Sequence, residues 1–95
     1  MDINKLMQQA NKMKSELDKK EKEFDSQIFT FEKQGIKLTI EGSLNIKSID
    51  INEALIDPDD KETLQDMIII IMNEAIEEIS SKKKSITNSI TKGMF

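Results

Sequence analysis

Met67-Ile68-Ile69-Ile70-Ile71-Met72 is a run of six apolar residues in a chain that is 34% charged. Four consecutive β-branched residues also suit a buried strand, and periodicity within so short a run does not separate strand from helix. The flanking residues do, because apolar residues continue on both sides of the run at the spacing of one helical face. They are Leu64, Ala75, Ile76, Ile79, Ile86 and Ile90. The run therefore lies inside a long helix.

Ile69 and Ile70 point away from this helical stripe, so the predicted helix is apolar on nearly every side. Such a helix must be covered all round, and a chain of 95 residues has little with which to cover it. We interpret the run as a homodimer interface formed by Met67, Ile68, Ile69, Ile70, Ile71 and Met72. The alternative is a helix buried between a sheet and another helix of the same chain.

The composition argues against an enzyme. The chain contains no Cys and no His, so the commonest nucleophile and base are absent, as are the usual ligands of transition metals. Asp57, Asp59 and Asp60 do not have the spacing of a calcium loop, and helix capping explains them better. We therefore predict no catalytic residue, no metal site and no cofactor.

One domain spanning residues 1–95 is predicted from the length. The longest apolar run is too short to cross a bilayer, which takes about 20 residues, and the N-terminus lacks the pattern of a signal peptide. We expect a cytoplasmic protein with no membrane partner.

The net charge of −4 is unevenly placed along the chain. Residues 58–79 hold one Lys and seven acids, whereas residues 80–95 hold four Lys and no acid. Residues 1–24 are also slightly basic, with six Lys and five acids. All the basic residues are Lys, a point charge without the planar fork with which Arg recognises carboxylates, phosphates and guanine. The acidic middle and the more basic ends leave nucleic-acid binding open.

The first helix is predicted over residues 2–24. Its apolar positions form a heptad-like seam, broken only at Lys20, that consists of Leu6, Ala10, Met13, Leu17 and Phe24. Lys5, Lys12 and Lys19 are each seven residues apart and line one edge of this helix. The row is either an ordinary solvated face or a candidate DNA contact.

Three strands are predicted over residues 27–34, 36–41 and 44–51, separated by turn signals at Gly35 and at Gly42-Ser43. The short links favour an antiparallel meander. The apolar phase slips across Lys47-Ser48, as a β-bulge would cause. We expect one apolar sheet face, with four side chains of the third strand largely buried: Leu44, Ile46, Ile49 and Ile51.

The second helix is predicted from Pro58 to about Ile90, with Asp57 as its cap and Gly93 beyond its end. Its last third is polar and should project from the body. Lys82, Lys83 and Lys84 lie there, and they point around more than half of the helix. They are either favourable cations near a helix C-terminus or phosphate contacts. The predicted fold is α+β: helix, three-stranded antiparallel meander, long C-terminal helix (α-β-β-β-α), dimeric.

Several segments together resemble the YbaB/EbfC family of small bacterial nucleoid-associated proteins. They are Leu6-Met7-Gln8-Gln9-Ala10-Asn11-Lys12-Met13, Leu38-Thr39-Ile40-Glu41-Gly42, Ile46-Lys47-Ser48-Ile49-Asp50-Ile51, Leu55-Ile56, Asp59-Asp60-Lys61-Glu62-Thr63-Leu64-Gln65-Asp66, Asn73-Glu74-Ala75 and Gly93-Met94. The resemblance implies a homodimer whose helices project like tweezers, and binding to double-stranded DNA with loose sequence preference in the nucleoid.

From Lys placement, the predicted DNA contacts are Lys5, Lys12, Lys19, Lys82, Lys83 and Lys84. A dimeric protein-interaction or scaffold module without DNA binding is the competing interpretation. Salt separates the two, because phosphate binding weakens steeply as salt is added.

Overall fold

The computed structural model describes residues 2–91 and has the predicted α-β-β-β-α order. Helix α1 (Ile3–Ser26) is followed by strands β1 (Ile28–Lys33), β2 (Ile36–Glu41) and β3 (Ile46–Ile51). A short 3-10 turn (Glu53–Leu55) then leads to helix α2 (Lys61–Thr91). The strands form one antiparallel sheet in the order β1-β2-β3, which confirms the predicted meander.

Strand register places the apolar side chains on one face of the sheet, except Ile28, which is paired with Glu41 on the outer face. Leu38 lies opposite Phe31 on one side and Ile49 on the other, and paired residues of neighbouring strands project from the same face. The other cross-strand rows on this face are Phe29, Ile40 and Ile46, and Lys33, Ile36 and Ile51.

The predicted bulge in β3 is confirmed. Thr39 pairs with Ser48, whereas the next residue, Ile40, pairs with Ile46, so Lys47 is the extra residue. The insertion keeps Ile46 on the same face as the later residues of the strand. Lys47 lies 2.7 Å from a carboxylate oxygen of Glu41.

The end of α1 is held against the β2–β3 turn by backbone hydrogen bonds. The Gly42 N–H donates to the Gln27 carbonyl at 2.9 Å, and the Ser43 N–H donates to the Asp25 carbonyl at 3.2 Å. A Cβ at Gly42 would lie 2.0 Å from the carbonyl oxygen of Phe24. Only glycine permits this approach of helix and turn.

The predicted start of α2 is wrong by three residues. The helix begins at Lys61, and Asp60 acts as its cap by accepting hydrogen bonds from the Thr63 hydroxyl at 2.7 Å and the Thr63 N–H at 3.4 Å. Asp57 instead accepts from the Asp59 N–H at 2.9 Å. This local bond holds the intervening Pro58 in a turn, because a short acidic side chain that bonds two residues ahead competes with the helix.

Helix α2 lies across β1 and β2. Lys33 of β1 is paired with Glu74 at 2.6 Å, and Lys82 lies 5.1 Å above the ring of Phe29, so α2 runs antiparallel to β1. The buried core lies between them and includes the end of α1. Its members are Phe24, Phe29, Ile36, Leu38, Ile40, Ile71, Ala75 and Ile79.

The expectation that β3 and its preceding turn are largely buried is wrong for the chain by itself. Leu44, Ile46 and Ile49 are 41–44% exposed, and Ile51 is half-buried. The physical reason is the position of α2, which packs over β1 and β2 and leaves the apolar face of β3 open.

Beyond the sheet, α1 and α2 continue together as a long extension. Lys83 of α2 is 3.1 Å from Asp25, near the end of α1. One turn farther along α2, the half-buried Ile86 packs against the core cluster that includes Phe24 of α1, so the two helices run antiparallel. The radius of gyration is 19.5 Å, against about 13 Å for a compact domain of this length. We call residues 3–20 and 84–91 the arm, and the remaining described residues the body. The predicted projection is confirmed; Gly93 lies outside the described residues.

Candidate nucleic-acid interface

The lysine row on α1 lies on the surface of the arm. Lys5, Lys12 and Lys19 are all exposed, and the ion pairs found among residues 2–91 include none of them. Glu16 and Glu23 follow Lys12 and Lys19 by four residues, an order that stabilises a helix less than the reverse one. The row therefore presents ammonium groups to solvent along the length of α1.

The three adjacent lysines of α2 point in three directions, as the helical spacing predicts. Lys82 lies over the Phe29 ring and 3.8 Å from Glu78. Lys83 joins α2 to α1 through Asp25, and Lys84 is exposed without an ion pair to another described residue. The structure thus brings Lys83 to α1 but does not gather the six predicted lysines into one patch.

Charge is separated along the long axis of the chain. The arm holds six Lys and two acids, a net charge of +4, although the whole chain carries −4. At the other end of the molecule, an exposed acidic segment includes the turn before α2 and the first turns of that helix. Its residues are Asp57, Asp59, Asp60, Glu62 and Asp66. Such a distribution attracts a polyanion toward the arm and repels it from the acidic end.

An open apolar surface lies on the β3 side of the body. Residues from α2 and from β3 with its preceding turn line a shallow groove of about 30 Å³ that has Leu38 and Ile40 at its floor. The exposed or half-buried residues of this surface, which we call the β3 groove, are Leu44, Ile46, Ile49, Ile69, Met72 and Ile76. Leu44 has a φ of 71°, which is uncommon for a residue other than glycine.

The structure divides the predicted dimer interface. Ile71 is buried in its own chain, and Met67, Ile68 and Met72 are half-buried against the same core. Ile69 and Ile70 are 56% and 47% exposed, as expected from their place off the stripe. With 3.6 residues per turn, Ile69 lies on the β3 side with Met72 and Ile76. Ile70 lies on the β1 side, near Glu74.

Sequence reasoning missed the contribution of β3 to this surface. Ile46 and Ile49 alternate as core residues do, and their pattern alone assigns them to the core of the same chain. The exposure of β3 could have been predicted by comparing the width of the sheet with the width of the helix that packs on it. One helix about 10 Å wide does not cover three strands spaced nearly 5 Å apart.

Residues 2–91 contain no group of His, Cys, Asp and Glu side chains arranged to hold a metal ion. Within the same part of the chain, neither helix is long and apolar enough to cross a membrane.

The fold and its surfaces define a small, elongated α-β-β-β-α protein with a cationic helical arm and an open apolar face. Residues 1–94 match the model of the YbaB/EbfC DNA-binding family, and the chain belongs to that family. The resemblance found in the sequence is therefore confirmed. The family is one of DNA-binding, nucleoid-associated proteins and not of enzymes.

Related chains are similar over nearly their whole length. A nucleoid-associated protein of Mycoplasmopsis pulmonis is 46% identical over 93 residues, covering 98% of this chain and 93% of the relative. A nucleoid-associated protein of Ureaplasma urealyticum is 43% identical, covering 98% and 96%. The crystal structure of the uncharacterized protein HP0035 from Helicobacter pylori has the same fold, with a TM-score of 0.79 and 19% identity over 96% of this chain and 98% of that one.

Proposed function

We propose that this chain is a bacterial nucleoid-associated protein that binds duplex DNA as a homodimer, and that it works in the cytoplasm on nucleoid DNA. Membership of a DNA-binding family and the names of the relatives support the DNA-binding part. The observation that carries the proposal is the separation of charge, since an arm of +4 projects from an otherwise acidic chain. Its role is nucleoid organisation or gene regulation.

The dimer forms through the β3 groove, to which the exposed Ile69 of residues 67–72 belongs. A contiguous apolar surface of this kind on a small soluble chain marks an interaction site. Ile69 and Ile76 of one protomer cover Ile46 and Ile49 of the other by a twofold axis, which buries the open half of the sheet. The long arms stay free of this contact, so each dimer presents two arms.

DNA is held through its phosphates by lysines of both helices: Lys5, Lys12, Lys19, Lys82, Lys83 and Lys84. Lys84 and the α1 row are available directly, because no described carboxylate lies within ion-pair distance of them. When DNA binds, Lys82 leaves Glu78 and Lys83 leaves Asp25, and each lysine then pairs with a phosphate. The chain has no Arg, so recognition of guanine by a planar guanidinium fork is absent; Lys can still contact guanine, but sequence preference is weak. The acidic start of α2 faces away from the DNA.

The test is a titration of fluorescent duplexes of unrelated sequence at several salt concentrations. We expect dissociation constants of roughly 10⁻⁴–10⁻⁶ M at physiological salt, similar for all duplexes. Changing Lys5, Lys12 and Lys19 together to Ala should weaken binding to every duplex alike. It should also reduce the slope of affinity against salt by about 1 for each phosphate contact that is lost.

The matched control changes Lys37, Lys47 and Lys61 to Ala. This variant has the same change in net charge, but all three lysines lie in the body. Unchanged binding in the control together with loss in the arm variant supports arm-mediated phosphate contact. Equal losses in both variants would show that binding follows overall charge and not the arm.

A dimeric protein-interaction module without DNA binding is the second candidate. The net charge of −4 and the apolar β3 groove favour it. Absence of binding to every duplex at low salt, by a chain that is folded and dimeric, would establish this candidate in place of the first.

A further inference from the structure

The tip of the arm carries an apolar stripe that is not needed for the fold of the body. Ile3 and Met7 are 72% and 60% exposed, and Leu6 and Ala10 are also exposed. This tip stripe continues the seam of α1, which is less exposed farther along: Met13 and Leu17 are half-buried and Phe24 is buried. These four apolar side chains lie on one side of a projecting helix tip, and no residue of the described range 2–91 buries them, so they form an open apolar surface.

The tip stripe lies on the side of α1 opposite the lysine row. With 3.6 residues per turn, Ala10 and Ile3 are about 140° and 160° around the helix from Lys5. Lys12 and Lys19 stay within about 40° of Lys5 by the same spacing. A helix whose lysine row touches DNA therefore turns its tip stripe away from the DNA.

The charges around the tip stripe favour a second copy of the same helix as its occupant. Its near flanks are the uncharged Asn4, Gln9 and Asn11, while Asp2 and Lys14 stand at its two ends. If two α1 tips pack antiparallel about residue 8, Asp2 of each chain comes beside Lys14 of the other.

The same register is sterically complementary. Leu6 then faces Ala10, a large side chain against a small one, and Ile3 faces Met13. The twofold axis repeats each contact, as in any isologous interface. No pair of like charges is brought together along the stripe.

Such a contact joins different dimers and not the two protomers of one dimer. From residue 8, α1 runs to Asp25, which is paired with Lys83, and the β3 groove lies farther along α2 at Met72. At 1.5 Å per residue, each groove is about 40 Å from the tip contact, so the two grooves are about 80 Å apart. Two chains that overlap tip to tip cannot also share a β3 groove.

We propose that the arm tip is a second self-association site, in which α1 of one dimer packs antiparallel on α1 of another about residue 8. The stripe is small, so the contact is weak between free dimers and strengthens where dimers are held close together. On DNA it links neighbouring dimers or two DNA segments. The proposal does not require DNA binding, because the contact is formed by protein alone.

Because the chain has no Cys, engineered thiols report this contact without background. A Leu6→Cys protein is mixed with an Ala10→Cys protein in a glutathione redox buffer, with and without a long duplex. We expect a mixed disulfide between the two proteins in both conditions and more of it with DNA. The matched control pairs the Leu6→Cys protein with a Gln8→Cys protein, whose thiol lies on the lysine side of α1. Equal disulfide yields from the two mixtures would overturn the proposal.

A charge exchange tests the register itself. In proteins that carry the reporter thiols, Lys14→Asp should lower the disulfide yield several-fold, because two acids then meet at each end. Adding Asp2→Lys in the same chain should restore the yield. Circular dichroism checks that α1 remains helical, since Asp2 also caps it. A folded double variant whose yield stays low would show that the helices do not pair in this register. The experiment without DNA keeps this result separate from any failure of DNA binding.

Discussion

The body and the arm are built from the same two helices, yet they use them differently. In the body, α1 and α2 bury Phe24, Ile71 and Ile79 to 4% exposure or less. In the arm, by contrast, α1 is exposed at every described position before Met13. The body therefore holds most of the folding free energy, whereas the arm displays charge and apolar surface at little cost to the fold.

The lysines show the same contrast. In the body, Lys33 is paired with Glu74 and Lys47 with Glu41. In the arm, by contrast, four lysines form no ion pair with another described residue: Lys5, Lys12, Lys19 and Lys84. Substitution should therefore act on stability at one end of the molecule and on binding at the other.

The largest change in the free energy of unfolding is expected where the end of α1 contacts the β2–β3 turn. In a Gly42→Ala variant the new methyl group would collide with the backbone of Phe24, so either α1 or the β2–β3 turn must shift. We expect a loss of about 3 kcal/mol or more in the free energy of unfolding, measured by urea denaturation. Gly35→Ala is the control. There φ is 90° and the nearest atom is a flexible Leu55 side chain, and the expected loss is about 1–2 kcal/mol. A larger loss at Gly35 would contradict this ranking.

A second pair of variants compares apolar side chains of the two regions directly. Ile79→Ala removes a fully buried side chain from the body and should lower the free energy of unfolding by about 2–5 kcal/mol. Leu6→Ala, in the arm, should change it by less than about 0.5 kcal/mol. Both are measured at low protein concentration, where association of tips does not contribute. Similar losses would mean that the arm is part of the folding unit.

A third comparison asks which side of α2 the second protomer covers. Ile76→Lys places a charge in the β3 groove and should raise the dimer dissociation constant about a hundredfold, as an unpaired buried charge costs about 3 kcal/mol. Ile70→Lys makes the same change on the β1 side of the helix. Sedimentation velocity measures how far each variant dissociates. If Ile70→Lys dissociates the dimer and Ile76→Lys does not, the interface lies on the β1 side of α2 and not in the β3 groove.

Much of the body could be predicted from sequence, because its apolar spacing is regular. The alternation in Ile36, Leu38 and Ile40 defines β2, and the phase slip at Lys47 is enough to predict the bulge. The start of α2 could not be placed, because Asp57 and Asp60 are both suitable caps. Hydrogen bonds in the structure decide between them, because Asp57 accepts from the Asp59 N–H and Asp60 accepts from Thr63.

The surfaces were harder to predict than the fold. Sequence periodicity says which residues of β3 share a face, but it does not say whether α2 lies over them. Likewise, Lys82, Lys83 and Lys84 are one cluster in sequence, while their separate contacts with Phe29 and Asp25 depend on how α1 and the sheet are placed around α2.

The smallest expected effect concerns the acid dependence of the sheet. The ammonium of Lys47, hydrogen-bonded to Glu41, lowers the pKa of that carboxyl below its usual value of 4.5, with help from the Ser43 hydroxyl. A pKa that is lower in the folded chain means that the ionised carboxylate stabilises the fold. This contribution is fully present above about pH 4.5 and is lost as the pH falls through the lowered value.

Glu41→Gln should therefore be slightly less stable than the parent at neutral pH, and the difference should disappear on acidification. Urea denaturation from pH 7 to pH 2 measures it. Glu32→Gln is the matched control, because Glu32 lies on the same outer face of the sheet and is absent from the ion pairs of the described residues. The salt bridge is exposed, so the effect is small and should also shrink with added salt. If the difference between Glu41→Gln and the parent grows as the pH falls, Lys47 is not what stabilises the Glu41 carboxylate.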